Sequence, residues 1–338
     1  MNSFRLPPPE AVQKILIWHQ GALGDLLLAG PALLAIRRHY PQAGIIGVGH
    51  PERWGLLAPT LSLEAVWDGA GALWSPLFTS DSLLPPSLTE RLAAFQLALV
   101  FSPRPHPTLL ARLAQAGVPA VTWLPSWPES GEESVETCQA GQLAGLGVSV
   151  PPEPFRLVLG EDWQEKTPGI SGPGPFLAVA PGTGHQCKNW PLSHYYEVTR
   201  GLAWQHKLRV IWLAGPAEAA ILPYLKGLAA AQDHLLMVNQ PLTAVAAALG
   251  RCRLYLGGDT GLTHLAAAVG VSGVLALFGP TDPLVWAPRG DGVRVLRGPC
   301  PQAPCAVPRE IACPEPKCLQ ELSPASVLEA AARLLARG

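Results

Sequence analysis

The strongest constraint on the fold is an alternation. Short continuous apolar runs, each leading through a glycine- or proline-marked turn into a helix-length segment, recur along the 338 residues. In the first half KILIW (14–18) passes through QGALGD into an apolar helix over about 26–39. IIGVGH (45–50), AVWDG (65–69), LALVF (97–101) and AVTWL (120–124) read as further strands, with helices near 108–116 and 134–146. Apolar runs of this kind belong to parallel sheets buried on both faces by helices.

PPEP (151–154) and TPGISGPGP (167–175) then read as linker, because neither helix nor sheet accepts that density of proline and glycine. A second cycle follows. Strands are expected at 176–182, 208–215, 235–239, 254–258 and 273–279, helices near 192–206, 218–230, 242–250 and after 258, and an amphipathic helix at 324–336 closes the chain. The expected fold class is therefore α/β, two Rossmann-like doubly wound domains facing across a cleft, with ligands at the carboxyl ends of the strands. The length suits two domains of about 150 residues each.

Composition excludes several classes. A net charge of −1 leaves no footprint for nucleic acid. The N-terminal MNSFRLPPPEAVQK lacks the apolar core of a signal peptide. The most apolar stretch, 261–279, is cut by Gly270, Ser272 and Gly273 and holds His264, so it reads as a buried helix and strand and no transmembrane segment is expected. These readings place the chain in the cytoplasm.

The loops after the strands carry the chemistry. The first is G-x-x-G-D and lacks the G-x-G-x-x-G of a dinucleotide site; the second strand ends in His50 where such a site needs a carboxylate, and there is no G-K-[ST]. Gly21 and Gly24 allow the backbone of this loop to approach a ligand. Asp25 has two readings, a helix N-cap or a general base. In APGTGHQCKNWP (180–191) the PGTG turn offers free N–H groups to phosphate oxygens, and Lys188, one of six lysines, sits inside the loop where it can neutralise a diphosphate. Glu218 in LAGPAE either complements a helix dipole or grips sugar hydroxyls. In GGDTGLTHLAAAVG (257–270) Asp259 can cap the helix, the N–H groups of Thr260 and Gly261 form an anion site, and Thr260 and His264, four apart, share one face.

GALGDLLLAGPALLAIRRHYP, PGTGHQCKNWP and GGDTGLTHLAAAVGVSGVLALFGPTDP resemble glycosyltransferase family 9, the ADP-heptose:lipopolysaccharide heptosyltransferases, over nearly the whole chain. The resemblance implies the GT-B architecture, with an acceptor-side domain at 1–165, a nucleotide-sugar domain at 166–322 and a C-terminal helix at 323–338. It implies inverting transfer of a heptose from ADP-heptose to a lipopolysaccharide core or lipid A-type acceptor at the inner membrane surface, with no cofactor and no essential metal. It makes Asp25 the catalytic base and Lys188 the stabiliser of charge at the donor phosphates. Thr183, Gly184, Lys188, Glu218, Asp259, Thr260, Gly261 and His264 become the donor site, and Gly21 and Gly24 the acceptor-side loop. Gly184 stands where some members carry a second hydroxyl residue. The resemblance also implies a cytoplasmic protein or a peripheral one on the inner face of the cytoplasmic membrane; the basic patch expected for a phosphorylated acceptor is not obvious, and Arg37, Arg38, Arg53, Arg104 and Arg112 are its candidates.

Cys300, Cys305, Cys313 and Cys318 form a C-x4-C-x7-C-x4-C cluster without the C-x2-C knuckle of zinc sites, and no metal is expected there. Two other readings share these residues: a GT-B nucleotide-sugar enzyme of different specificity, such as another sugar transferase or a sugar-nucleotide epimerase, and a donor-binding module without catalysis.

Overall fold

The computed structural model describes residues 5–80, 83–166, 170, 172, 174–305 and 317–337. The chain forms two compact units, Met1–Val158 and Leu159–Gly338. The division falls a little ahead of the expected 165/166 limit because the 3-10 turn Glu161–Lys166 packs on the helix Leu242–Leu249 of the second unit. Most of the glycine–proline stretch 167–175 lies outside the described residues.

In the first unit β1 (Lys14–His19), β2 (Gly44–Gly49), β3 (Ala65–Asp68), β4 (Leu97–Ser102) and β5 (Ala120–Pro125) form a parallel sheet in the order β3-β2-β1-β4-β5. Chain order reverses on either side of β1, the geometry that opens a crevice at the carboxyl end of such a sheet. The expected helix over 26–39 is two helices, Leu23–Leu28 and Gly30–His39, because Gly30 and Pro31 break the run. The helix Pro51–Leu61 escapes a reading by composition, since Gly55 and Pro59 interrupt its pattern.

In the second unit β6 (Phe176–Ala180), β7 (Arg209–Ala214), β8 (Leu235–Val238), β9 (Cys252–Gly258), β10 (Gly273–Phe278) and β11 (Val293–Arg297) are parallel in the order β11-β10-β9-β6-β7-β8. Here the reversal lies between β6 and β9, paired from Phe176–Cys252 to Ala180–Gly257. The core of one face joins strand residues Leu177, Val179, Trp212, Leu254 and Leu256 to Tyr195, Val198, Leu202 and Val327. Val327 belongs to the C-terminal helix Pro324–Leu335, which packs on the helix Leu192–His206 and so is part of this unit. The helix expected over 218–230 begins as a 3-10 turn, Pro216–Ile221, and becomes α-helical over Leu222–Gln232. No described helix is long and apolar enough to cross a membrane.

Candidate active site

Neighbouring strands bring their trailing loops together, and in the second unit four loops converge. Lys188, in the loop after β6, places its ammonium 2.6 Å from Oδ2 of Asp259, directly after β9. Both side chains are largely shielded, at 14% and 10% exposure. Thr281, after β10 and 1% exposed, donates its hydroxyl to the same Oδ2 at 2.7 Å. Thr281 lies in the string FGPTDP, where nothing in the local sequence marks the threonine for this contact.

Asp259 does not cap the following helix, contrary to the expectation. Thr260 occupies the N-cap position of Gly261–Val269, without a side-chain hydrogen bond, and Asp259 instead turns to Lys188 and Thr281. Oδ2 of Asp259 thus takes two charge-assisted partners in place of a single backbone N–H. The first turn of this helix therefore keeps its positive end free of a side-chain cap, the arrangement that receives anions. His264 lies one turn in, 6% exposed; burial pulls its pKa down to about 4, with Asp259 opposing the shift and Lys188 adding to it. The imidazole is neutral at pH 7.

Glu218 bridges two of the loops. Its Oε1 accepts the N–H of Gly182 at 2.9 Å and its Oε2 that of Gly215 at 2.7 Å, so one carboxylate ties the loop after β6 to the loop after β7. A Cβ at Gly182 would stand 2.4 Å from Oε1, which is why this position needs glycine. Burial raises the Glu218 pKa, and the backbone N–H bonds oppose that. Thr183, also buried, has its hydroxyl 2.6 Å from the His185 carbonyl and 2.8 Å from Oδ1 of Asn189, and knots its own loop. Gly184 is exposed with open space above its Cα.

In the first unit Asp25 is the third residue of the helix Leu23–Leu28, two positions beyond the first helical residue, and the N-cap position belongs to Ala22. Its Oδ2 accepts the N–H of Ala22 at 2.9 Å and its Oδ1 the indole N–H of Trp127 at 3.3 Å. Trp127, just after β5, was missed because nothing in the sequence links a residue 102 positions away to this loop. A Cβ at Gly21 would lie 2.7 Å from Cε1 of His19 and 2.9 Å from Cβ of Asp25, so the loop packs closely on its own side chains there. Gly24 sits inside the helix, half-buried. The loop is braced by Arg53, which donates to the Gly21 carbonyl at 2.8 Å, and by Gln20, which donates to the Gly69 carbonyl at 2.8 Å. His19 is buried beneath it, accepts the Gly21 N–H on Nδ1 at 3.2 Å, and has its pKa pulled down to about 4 by burial. Among the other arginines considered, Arg37 donates to the Tyr40 carbonyl and Arg112 to the Pro76 carbonyl and Gln115, so both serve structure.

Cys300, Cys305 and Cys318 carry free thiols, and Cys313 lies outside the described residues. Among the described residues no three histidine, cysteine or acidic side chains are grouped to hold a metal ion.

The two units are Rossmann-like α/β domains, and the second gathers a lysine, an acid and a helix N-terminus at its topological switch point. The model of glycosyltransferase family 9 (heptosyltransferase) matches residues 128–317, and the chain belongs to that family. Lipopolysaccharide heptosyltransferase 1 of Pseudomonas aeruginosa is 31% identical over 146 residues, which cover 39% of this chain and 36% of that protein. The chain thus spans about a third of the length of this curated relative. Among solved structures, a family 9 glycosyl transferase from Veillonella parvula superposes with a TM-score of 0.78 at 17% identity, covering 100% of both chains. The E. coli ADP-heptose lps heptosyltransferase II gives 0.72 at 20% identity, covering 96% of this chain and 99% of the other. E. coli heptosyltransferase WaaC with ADP gives 0.67 at 18%, covering 95% and 100%. At these identities the likeness speaks for the GT-B fold.

Proposed function

We propose that the protein is an inverting, metal-independent glycosyltransferase that moves a heptose from ADP-heptose to a lipopolysaccharide core or lipid A-type acceptor, working in the cytoplasm at the inner face of the membrane. The observation that carries this reading is the cluster of Lys188, Asp259 and Thr281 beside the uncapped start of the helix Gly261–Val269. A diphosphate is a doubly charged, oxygen-rich group, and a helix N-terminus with an adjacent ammonium supplies both N–H donors and positive charge.

In this reading the diphosphate sits at the start of that helix and Lys188 stabilises the negative charge that grows as the sugar leaves. His264, neutral, offers a hydrogen bond without adding charge. Thr183 and Gly184 shape the wall of the donor loop. Glu218 holds the two loops at fixed spacing, so its part in donor binding is positioning. Gly21 and Gly24 shape the acceptor-side loop. The acceptor hydroxyl oxygen attacks the anomeric carbon, the bond from that carbon to the diphosphate breaks, ADP departs, and Asp25 takes the hydroxyl proton. Attack opposite the leaving group inverts the anomeric centre.

The test is ADP release from ADP-heptose with and without a heptose-free core acceptor, in wild type and Asp25→Asn. Acceptor-dependent release that falls by about 100-fold or more in Asp25→Asn, a size usual for loss of a general base, supports the assignment. Release that ignores the acceptor, or survives in Asp25→Asn, contradicts it.

A further inference from the structure

Beneath the turn that carries Asp259 lies a relay of buried hydroxyls to which the reading above gives no part. Tyr255 and Thr263 are both fully buried, at 0% exposure. Thr263 is the third residue of the helix Gly261–Val269, and its hydroxyl donates back to the carbonyl of Gly258, the last residue of β9. Its N–H donates to the Thr260 carbonyl at 3.1 Å, so one residue ties both sides of the turn at Asp259. The phenol oxygen of Tyr255 stands 3.1 Å from Oγ1 of Thr263. A threonine hydroxyl has a single proton, and here it is engaged by Gly258. The phenol is therefore the donor to Thr263, and the relay runs from Tyr255 through Thr263 to the Gly258 carbonyl.

The strand is shaped for this reach. Residues two apart in a strand share a face, and the Tyr255 side chain lies along Gly257. A Cβ at Gly257 would stand 2.4 Å from the phenol oxygen, so glycine there lets the side chain extend to the start of the helix. A phenylalanine would fill the same core volume with no polar atom to bury, so what the hydroxyl adds is its bond to Thr263. Burial raises the Tyr255 pKa above the usual phenol range, with the bond to Thr263 opposing, and the phenol keeps its proton at pH 7.

Gly258 is where this relay meets the site. A Cβ on it would lie 3.0 Å from Cγ2 of Thr183 and 3.4 Å from the Lys188 carbonyl, so its peptide packs directly on the loop that supplies the ammonium. The next residue is Asp259, whose Oδ2 holds that ammonium at 2.6 Å. We infer that Tyr255 is a positioning residue of the transfer reaction: through Thr263 it holds the Gly258–Asp259 peptide, and with it the placement of Asp259 against Lys188 that receives the donor diphosphate. Being fully buried, Tyr255 acts only through Thr263. The inference rests on the functional reading and deepens it at the donor site.

The experiment is a calorimetric titration of ADP into the full chain, with a urea midpoint recorded for each protein. Wild type is compared with Tyr255→Phe, Thr263→Val and Thr263→Ser, and Tyr255→Phe is repeated in an Asp259→Asn background. Tyr255→Phe should weaken ADP about threefold to tenfold, the size of one neutral hydrogen bond, and Thr263→Val by at least as much. Thr263→Ser, which keeps the hydroxyl, should bind close to wild type. In the Asp259→Asn background Tyr255→Phe should change nothing further, since the relay acts through that carboxylate. Tyr255→Phe keeps the core volume, so the test holds even where Thr263→Val lowers the urea midpoint. Wild-type affinity in Tyr255→Phe overturns the inference, and so does an equal loss in both backgrounds, which would make the phenol a general prop of the core. Either result leaves the functional reading standing, because wild type still binds ADP. No binding of ADP by wild type removes the functional reading and the inference with it.

Discussion

The indole N–H of Trp127 points at Oδ1 of Asp25 from 3.3 Å, while the other carboxylate oxygen takes the N–H of Ala22 at 2.9 Å. Both oxygens of the proposed base therefore meet a donor, and the two contacts fix the orientation of the carboxylate. A donor to a carboxylate favours its charged form and lowers its basicity.

Replacing Trp127 by Phe keeps the ring and removes that donor. The acid limb of the kcat/KM profile should move to higher pH, and kcat should fall several-fold as the carboxylate loses its fixed orientation. ADP affinity should stay as in wild type. A profile and rate identical to wild type would show that the indole only packs against the loop.

Thr281 makes a parallel case in the second unit. Thr281→Val removes the hydroxyl that holds Oδ2 of Asp259, and Thr281→Ser retains it. One lost hydrogen bond to a charged group is worth roughly 1.5–3 kcal/mol, or about tenfold to a hundredfold. The valine variant should weaken ADP by an amount in that range and serine should restore it, measured by titration. Equal weakening in both variants would point to shape and not to the hydrogen bond.

Lys188 and Asp259 shield each other. Taking away one partner of a buried pair leaves a charge without compensation, at a cost of roughly 3–5 kcal/mol. Lys188→Met should lower stability toward that range, discounted for the remaining 14% and 10% exposure. Lys188→Met/Asp259→Asn should recover much of the loss. Denaturant midpoints of wild type, Lys188→Met, Asp259→Asn and the double variant close the cycle, and strict additivity would argue against a coupled pair.

Both His19 and His264 have pKa values near 4 in the fold against 6.5 for the free side chain. Between those values the unfolded chain binds the protons that the folded chain refuses, so stability rises with pH through this window and is lost as pH falls from about 6.5 to 4. Each group accounts for about 3 kcal/mol at most. Glu218, whose pKa is raised, acts in the opposite sense, its contribution being lost as pH rises. His264→Gln should flatten the fall on acidification, as read from urea midpoints at pH 4.5 and 7. An unchanged difference would mean that His264 titrates alike in both states.

Much of this was legible in the residues. Continuous apolar runs marked ten of the eleven strands among the described residues, because buried parallel strands need no alternation. The edge strand β11, VRVLR, escaped, since exposed Arg294 and Arg297 interrupt its apolar run. Asp259, Lys188 and His264 stood out through their glycine-rich loops, yet the sequence suggested a cap for Asp259 where the fold makes an ion pair. Trp127 and Thr281 could not be read, because their roles come from strand order. β10 beside β9 brings in Thr281, and the loop after β5 reaches back to the loop after β1.

The most direct test of the central claim is a calorimetric titration of ADP into wild type, Asp25→Asn and Asp259→Ala. The account predicts that wild type and Asp25→Asn bind ADP alike and that Asp259→Ala loses most of the affinity, since the donor group lies in the second unit and the base in the first. Binding unaffected by Asp259→Ala, or no binding of ADP by wild type, would contradict it.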